Sequence, residues 1–186
     1  MGVFEWIIRR KNTRGSKLDE WRRQWREACA APSIAAVDTL RAALSALGLP
    51  EEEIEIEREM LAGIEELVVI RRTAAAGLPV IETGHRVVGT DVCHFTAPAS
   101  MPDEPSQPSG RLILTSARAI FAGGAKAVTV PWHAIGRVLQ EERDLLLVRH
   151  DRETLHRFRC NVFGDAMTAA FLAETLAARH RRPRSV

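Results

Sequence analysis

The hydrophobic period of this chain changes in the stretch TAAAGLPVIETG at residues 73–84 and returns to helical spacing only near the end of the sequence. Before this stretch, apolar residues recur every three or four positions, which is typical of amphipathic helices, and after it apolar and polar residues tend to alternate, which is typical of strands. Gly77, Pro79 and Gly84 interrupt both patterns. We therefore expect an α+β protein with a helical segment over residues 1–80 and a strand-rich module over residues 81–182.

Three helices are predicted in the first segment. The stretch KLDEWRRQWREACA places Trp21 and Trp25 on one apolar face, where we expect them in a core and not on a nucleotide platform. The stretch PSIAAVDTLRAALSALGLP predicts a second helix, which is capped by Ser33, a residue type that caps helices, and ends at Gly48. The third helix opens at Pro50 with a run of glutamates, whose charge suits a helix N-terminus.

The second module is predicted to be an antiparallel sheet. HRVVGTDVCHFTA predicts one strand or a bent pair, and the four prolines of PASMPDEPSQPSG predict a loop outside the sheet. GRLILTSARAIFAGG predicts a hairpin in which Thr115 and Arg118 serve the turn. KAVTVPWHAIGRVLQ, RDLLLVRHD and TLHRFRC predict further strands, and GDAMTAAFLAETLAARHRR predicts a closing helix that buries Met167, Phe171 and Leu172.

This order of elements resembles the bacterial pleckstrin-homology-like and GRAM-type domains over about residues 85–180. The resemblance implies a small antiparallel barrel capped by a C-terminal helix, a binding function in place of turnover, and no catalytic residue or cofactor. Residues 1–80 resemble no family that we recognise. The residues that carry the resemblance are Gly110, Leu112, Leu114, Thr115, Arg118, Ile120, Phe121, Gly123, Pro131, Trp132 and Ile135.

Charge is zoned along the chain although the net charge is only +2. Residues 1–30 carry 8 Lys or Arg against 4 Asp or Glu, residues 51–66 carry 8 Glu against Arg58 alone, and residues 110–186 carry 13 basic against 7 acidic residues. Such zones join segments of one chain, recruit a partner or form solvated faces. Composition leaves all three readings open.

Two clusters are candidates for a partner or lipid surface. The first combines an apolar group, Phe4 and Trp6, with Arg9 and Arg10, which suits a surface of anionic lipid. The second lies in the last predicted hairpin, where exposed arginines equally suit protection of a sheet edge. Its members are Arg149, Arg152, Arg157 and Arg159.

The resemblance also implies where lipid recognition would fail. In lipid-binding relatives, the loop that joins the first two strands is typically basic, because phosphate needs cationic partners. Here that loop contains Asp103 and Glu104 and has no Lys or Arg. Nucleic-acid binding is also disfavoured, because Phe158 is expected to face the core and leaves the basic strand without a stacking surface.

Several chemistries lack a signature. The chain has no G-x-S-x-G nucleophile elbow, no H-E-x-x-H zinc-binding pair and no phosphate-binding glycine loop. It also has no apolar run of about 18 residues and no signal-peptide pattern. Its three cysteines suggest reduced thiols in a cytoplasmic protein. A zinc site from Cys93, His94, His156 and Cys160 is disfavoured, because adjacent strand residues point to opposite faces.

We therefore expect a non-enzymatic binding module with no metal and no cofactor. Protein recognition or scaffolding in the cytoplasm is the leading function. Peripheral association with an anionic membrane is the first alternative, and an atypical metal-dependent enzyme is the second.

Overall fold

The computed structural model of the chain describes the backbone of residues 3–123, 127–150 and 154–181, and the side chains of residues 15–123, 127–150 and 155–181. These residues form helices and an antiparallel sheet, which confirms the predicted α+β class. The chain divides into two compact units, Met1–Val68 and Val69–Val186. The division falls within the third helix, upstream of the boundary predicted near residue 80.

Local sequence signals explain the helices of the first unit. The Ser33 hydroxyl accepts a hydrogen bond from the Ala36 N–H at 3.2 Å, so this residue is the predicted N-cap. Gly48 follows the same helix with a φ of 59°, a conformation that glycine adopts without strain. The helices are α1 (Val3–Ala30), α2 (Ile34–Ala46) and α3 (Glu55–Ala74), with a 3-10 turn at Glu51–Glu53.

The core of the first unit is built on the two tryptophans of α1. Both are buried, as predicted. The Trp21 indole N–H donates to the Leu40 carbonyl in α2 at 2.9 Å, and the Trp25 indole N–H donates to the Met60 carbonyl in α3 at 2.8 Å. Each ring therefore buries its apolar area and also satisfies its polar atom, which ties α1 to both neighbouring helices.

Glu57 in α3 lies inside this unit, although its sequence neighbours predict a solvated acidic face. Its side chain is buried, and Arg22 of α1 binds it through Nε at 2.7 Å and Nη2 at 2.5 Å. A buried carboxylate is tolerated only with such a partner. The glutamate run therefore contributes one interior ion pair as well as surface charge.

The second unit contains a seven-stranded antiparallel sheet followed by a helix. The strand order is β4-β3-β2-β1-β7-β6-β5, so β4 and β5 are the edge strands. The elements are β1 (Cys93–Ser100), β2 (Ser109–Thr115), β3 (Arg118–Gly123), β4 (Val128–Pro131), β5 (Ile135–Glu141), β6 (Asp144–Arg149), β7 (Thr154–Cys160) and α4 (Phe163–Arg181).

The predicted strands differ from the observed ones at three places. Residues 85–92 are not an extended strand, because a 3-10 turn at Arg86–Val88 and Gly89 with a φ of 62° redirect the chain before β1. Pro98 lies within β1, against the expectation of a loop, one residue before β1 acquires β7 as its second neighbour. The Trp132–Ala134 turn divides the predicted KAVTVPWHAIGRVLQ strand into β4 and β5.

One core takes side chains from all seven strands and from α4. Leu172, Ala173 and Leu176 of α4 are fully buried in it, and burying each large side chain is worth roughly 1.5 to 3 kcal/mol. Met167 is also buried, whereas Phe171 is half-buried. The closing helix is therefore part of the core, as predicted.

Candidate binding surface

The outer edge of β5 is open in the part of the chain that the structure describes. β6 pairs with β5 from Ile135↔Arg149 to Glu141↔Asp144, and no strand pairs with the other side. Hydrogen-bonding groups alternate in direction along an antiparallel strand. With a two-residue turn closing on the Glu141–Asp144 pair, Val138 and Gln140 direct their N–H groups away from β6.

The start of β5 is fixed against the end of α4. The Arg181 guanidinium donates to the Gly136 carbonyl and pairs with Glu174. His180 Nε2 donates to the Ser116 carbonyl of the β2–β3 turn at 2.9 Å. These contacts hold the basic last turn of α4 beside the open edge.

Exposed cations surround this start of β5. Arg137 lies on β5 itself, Arg149 ends β6 opposite Ile135, and Arg179 lies in the last turn of α4. Over the described residues, neither Arg137 nor Arg179 has an ion-pair partner. We call Arg137, Arg149 and Arg179 the cationic end.

Exposed glutamates lie at the far end of β5. Glu141 and Glu142 are exposed there, and Glu142 adopts a φ of 52° in the turn to β6. Arg143, whose guanidinium lies over the Phe163 ring, separates Glu142 from the buried Asp144. On β5 itself, the exposed charge therefore changes from Arg137 near its start to Glu141 at its end.

Two of the predicted surface arginines are held by this buried carboxylate. Arg159 binds Asp144 through Nε at 2.8 Å and Nη2 at 3.0 Å, and Arg157 Nη1 lies 3.5 Å from the same side chain. Hydrogen bonding to Asp144 raises the pKa of Arg159. Arg157 Nε also lies 3.7 Å from Asp103 of the β1–β2 loop. These contacts neutralise much of the positive charge of the pair.

The structure therefore separates the residues predicted for one basic patch. Arg149 and Asp144 lie at opposite ends of β6, so Arg149 belongs to the cationic end, whereas Arg157 and Arg159 belong to the Asp144 cluster. Arg152 lies outside the described residues. Phe4, Trp6, Arg9 and Arg10 lie in α1, and their side chains are outside the described part of the chain.

Strand alternation in β7 holds for most but not all residues. Phe158 and Cys160 are buried in the core and Arg159 is exposed, as predicted. Leu155 packs against the core and not on the outer face. The reason is a bulge, because Leu147 pairs with His156 and Val148 with Thr154, which leaves Leu155 as the extra residue.

The four Cys and His side chains weighed as zinc ligands are spread over the sheet. Cys160 pairs with Ala99, six residues along β1 from Cys93, which is about 20 Å in an extended strand. Burial raises the pKa of Cys160 to about 12 and also raises the pKa of Cys93. Among the described residues, no three His, Cys, Asp or Glu side chains are grouped as metal ligands.

The β2–β3 turn uses its polar residues internally. The Thr115 hydroxyl accepts from the N–H groups of Ala117 at 3.3 Å and Arg118 at 3.1 Å. The Trp132 indole N–H donates to the Thr115 carbonyl at 2.9 Å, and Arg118 pairs with Asp91 at 2.8 Å. These contacts agree with the predicted structural role of Thr115 and Arg118.

The first unit has an open cleft of about 670 Å³ between α1 and α2. Lys17, Arg23 and Glu20 lie on its rim, and Arg23 is already paired with Glu20 and Glu27. The mixed charge of this rim selects no ligand class.

No protein-family model matches the chain, and no curated protein matches it. Among solved structures, it is similar to the C-terminal domain of an unknown protein from Leishmania infantum at 12% identity, over 58% of this chain and 94% of that chain, with a TM-score of 0.41. In the described residues, no helix combines the length and hydropathy needed to cross a membrane.

Proposed function

We propose that the second unit is a pleckstrin-homology-like, GRAM-like module that recognises a protein segment and catalyses no reaction. The observation that carries the proposal is the open outer edge of β5, which presents the N–H groups of Val138 and Gln140. The seven-stranded antiparallel order and the closing helix support the assignment to this class of module.

An open edge recognises proteins because its backbone groups can pair with an additional strand. Main-chain hydrogen bonds then supply affinity, and side chains beside the edge supply specificity. β5 is 7 residues long and only partly buried over most of its length, which is enough for a short extended segment. Arg181 already holds the start of β5 in place, so the strand loses less conformational entropy when a segment binds.

The distribution of charge supports a protein partner over a lipid headgroup. The β1–β2 loop presents Asp103 and Glu104, and Asp144 holds Arg157 and Arg159. Binding of phosphate there would compete with these carboxylates. Arg157 and Arg159 thus serve the fold, and the open edge is available for recognition.

A peptide selection tests the proposal. A phage library of random twelve-residue peptides is panned on the full chain, on Gln140→Pro and on Ser106→Pro. The first proline removes an outward N–H of β5, and the second changes the exposed β1–β2 loop as a matched control. Thermal unfolding shows whether both variants fold. We expect peptides that bind the full chain and Ser106→Pro but not Gln140→Pro.

Amide hydrogen exchange gives a readout that needs no variant. Bound peptide should slow exchange of the Val138 and Gln140 N–H groups, because these groups become hydrogen-bonded. Selection of no peptide above background, or protection that excludes β5, would overturn the proposal.

A further inference from the structure

We infer that the segment bound by β5 is acidic, and that its carboxylates lie beside the cationic end. The inference rests on the proposed function and adds the chemistry of the partner. Arg137, Arg149 and Arg179 surround the start of the open edge, whereas Glu141 and Glu142 flank its end.

Two cations of this surface, Arg137 and Arg179, differ from Arg118 and Arg159 of the same unit. Arg118 is paired with Asp91, and Arg159 with Asp144, so those charges already have carboxylate partners within the fold. Arg137 and Arg179 have no such partner among the described residues. An acidic segment would therefore find cations that need not break an internal ion pair.

The last turn of α4 is held in place for this role. Arg181 donates to the Gly136 carbonyl and His180 to the Ser116 carbonyl, so α4 ends beside β5. Arg179 lies in the same last turn of α4 as Arg181. Cations on fixed elements lose less freedom on binding than cations on loops.

The gradient of charge along β5 also sets the register. Carboxylates opposite Arg137 are attracted, whereas carboxylates opposite Glu141 or Glu142 are repelled. The acidic residues of the partner should therefore cluster at one end of the bound segment. A uniformly acidic segment should bind less well than one whose other half is neutral or basic.

The peptides selected on the full chain test this inference by their composition. We expect Asp and Glu to be enriched in one half of the peptides that protect β5 from exchange. The variant Arg137→Glu should weaken the binding of such a peptide about three- to tenfold, the range expected for the loss of one or two exposed ion pairs. The matched control is Arg86→Glu, which reverses an exposed charge in the segment before β1 and should leave binding unchanged.

The outcomes separate this inference from the proposed function. Peptides that protect β5 without enrichment of acidic residues, or that are indifferent to Arg137→Glu, would overturn the acidic partner and leave protein recognition standing. Absence of any β5-protecting peptide overturns both. Light scattering tests whether a second copy of the chain covers β5. If the unaltered chain is a dimer and Gln140→Pro is a monomer, a second copy is the occupant and the acidic partner is overturned.

Discussion

The rings of Phe121 on β3 and Phe158 on β7 stack with their centroids 5.9 Å apart and their planes 24° apart. Three strand-to-strand steps separate β3 from β7 in the sheet, which is about 14 Å when a sheet is flat. The contact therefore requires the sheet to curl around its core. The same curvature brings side chains of the edge strands β4 and β5 into one cluster.

A double-mutant cycle on these two rings measures that contact. Phe121→Leu and Phe158→Leu should each lower the free energy of unfolding by about 1 to 3 kcal/mol, because each removes buried ring area. Together they should cost less than the sum of the single changes, with a coupling of about 0.5 to 1.5 kcal/mol. Urea unfolding supplies the energies, and strict additivity would show that the rings do not interact.

The turn between β2 and β3 gives a second prediction. Thr115→Val keeps the shape of the side chain but removes the hydroxyl that serves the Ala117 and Arg118 N–H groups. We expect a loss of about 1 to 3 kcal/mol in the free energy of unfolding, because buried polar groups lose their partner. Thr129→Val, the same chemical change at an exposed threonine of β4, is the control and should stay within about 0.5 kcal/mol. Equal losses of stability in the two variants would show that the Thr115 hydroxyl does not stabilise the turn through these hydrogen bonds.

Features read from neighbouring residues were predictable from the sequence. The Ser33 cap, the buried Trp21 and Trp25 and the β2–β3 hairpin each depend on a spacing of a few positions, which the sequence shows directly. The physical reason is that helix periods, caps and short turns are set by local hydrogen bonding.

The candidate site was not predictable in the same way. Asp144 and Arg159 are 15 positions apart, and only the register of the β6–β7 hairpin brings them together. The open edge of β5 depends on the order of all seven strands, which no local pattern encodes. Predictions at residues 4–10 stay predictions, because those side chains lie outside the described part of the chain.

The Asp144 cluster yields a third prediction. Arg159→Gln should lower the free energy of unfolding by about 1 to 3 kcal/mol, because buried Asp144 then keeps only the longer contact to Arg157. Arg137→Gln, at the cationic end, is the control and should change stability by less than about 0.5 kcal/mol.

The Arg159→Gln variant also tests the membrane alternative. If Arg159 serves the fold, sedimentation with vesicles that contain phosphatidylserine should be the same for Arg159→Gln and for the unaltered chain at low salt. A folded, fully stable Arg159→Gln variant that no longer sediments with vesicles to which the unaltered chain binds would instead assign this arginine to lipid.

His156 on β7 makes stability depend on pH. Burial lowers the pKa of His156, and the charge of Glu104 opposes this shift only in part. As pH falls below the ordinary histidine value of about 6.5, the unfolded chain takes up the proton before the folded protein does. The stability due to neutral His156 is therefore complete above that pH and is lost as pH falls through the lower pKa of the folded state.

Urea unfolding between pH 7.5 and pH 5 tests this dependence. The unaltered protein should lose stability over this interval, and His156→Gln should lose less because it removes the group that takes up the proton. His85→Gln changes an exposed histidine and is the matched control, with the pH dependence of the unaltered protein expected to persist. If the free energy of unfolding instead falls equally steeply with pH in His156→Gln and His85→Gln, the proton that destabilises the fold binds at another group. The burial of His156 beside Phe158 would then not govern the acid response.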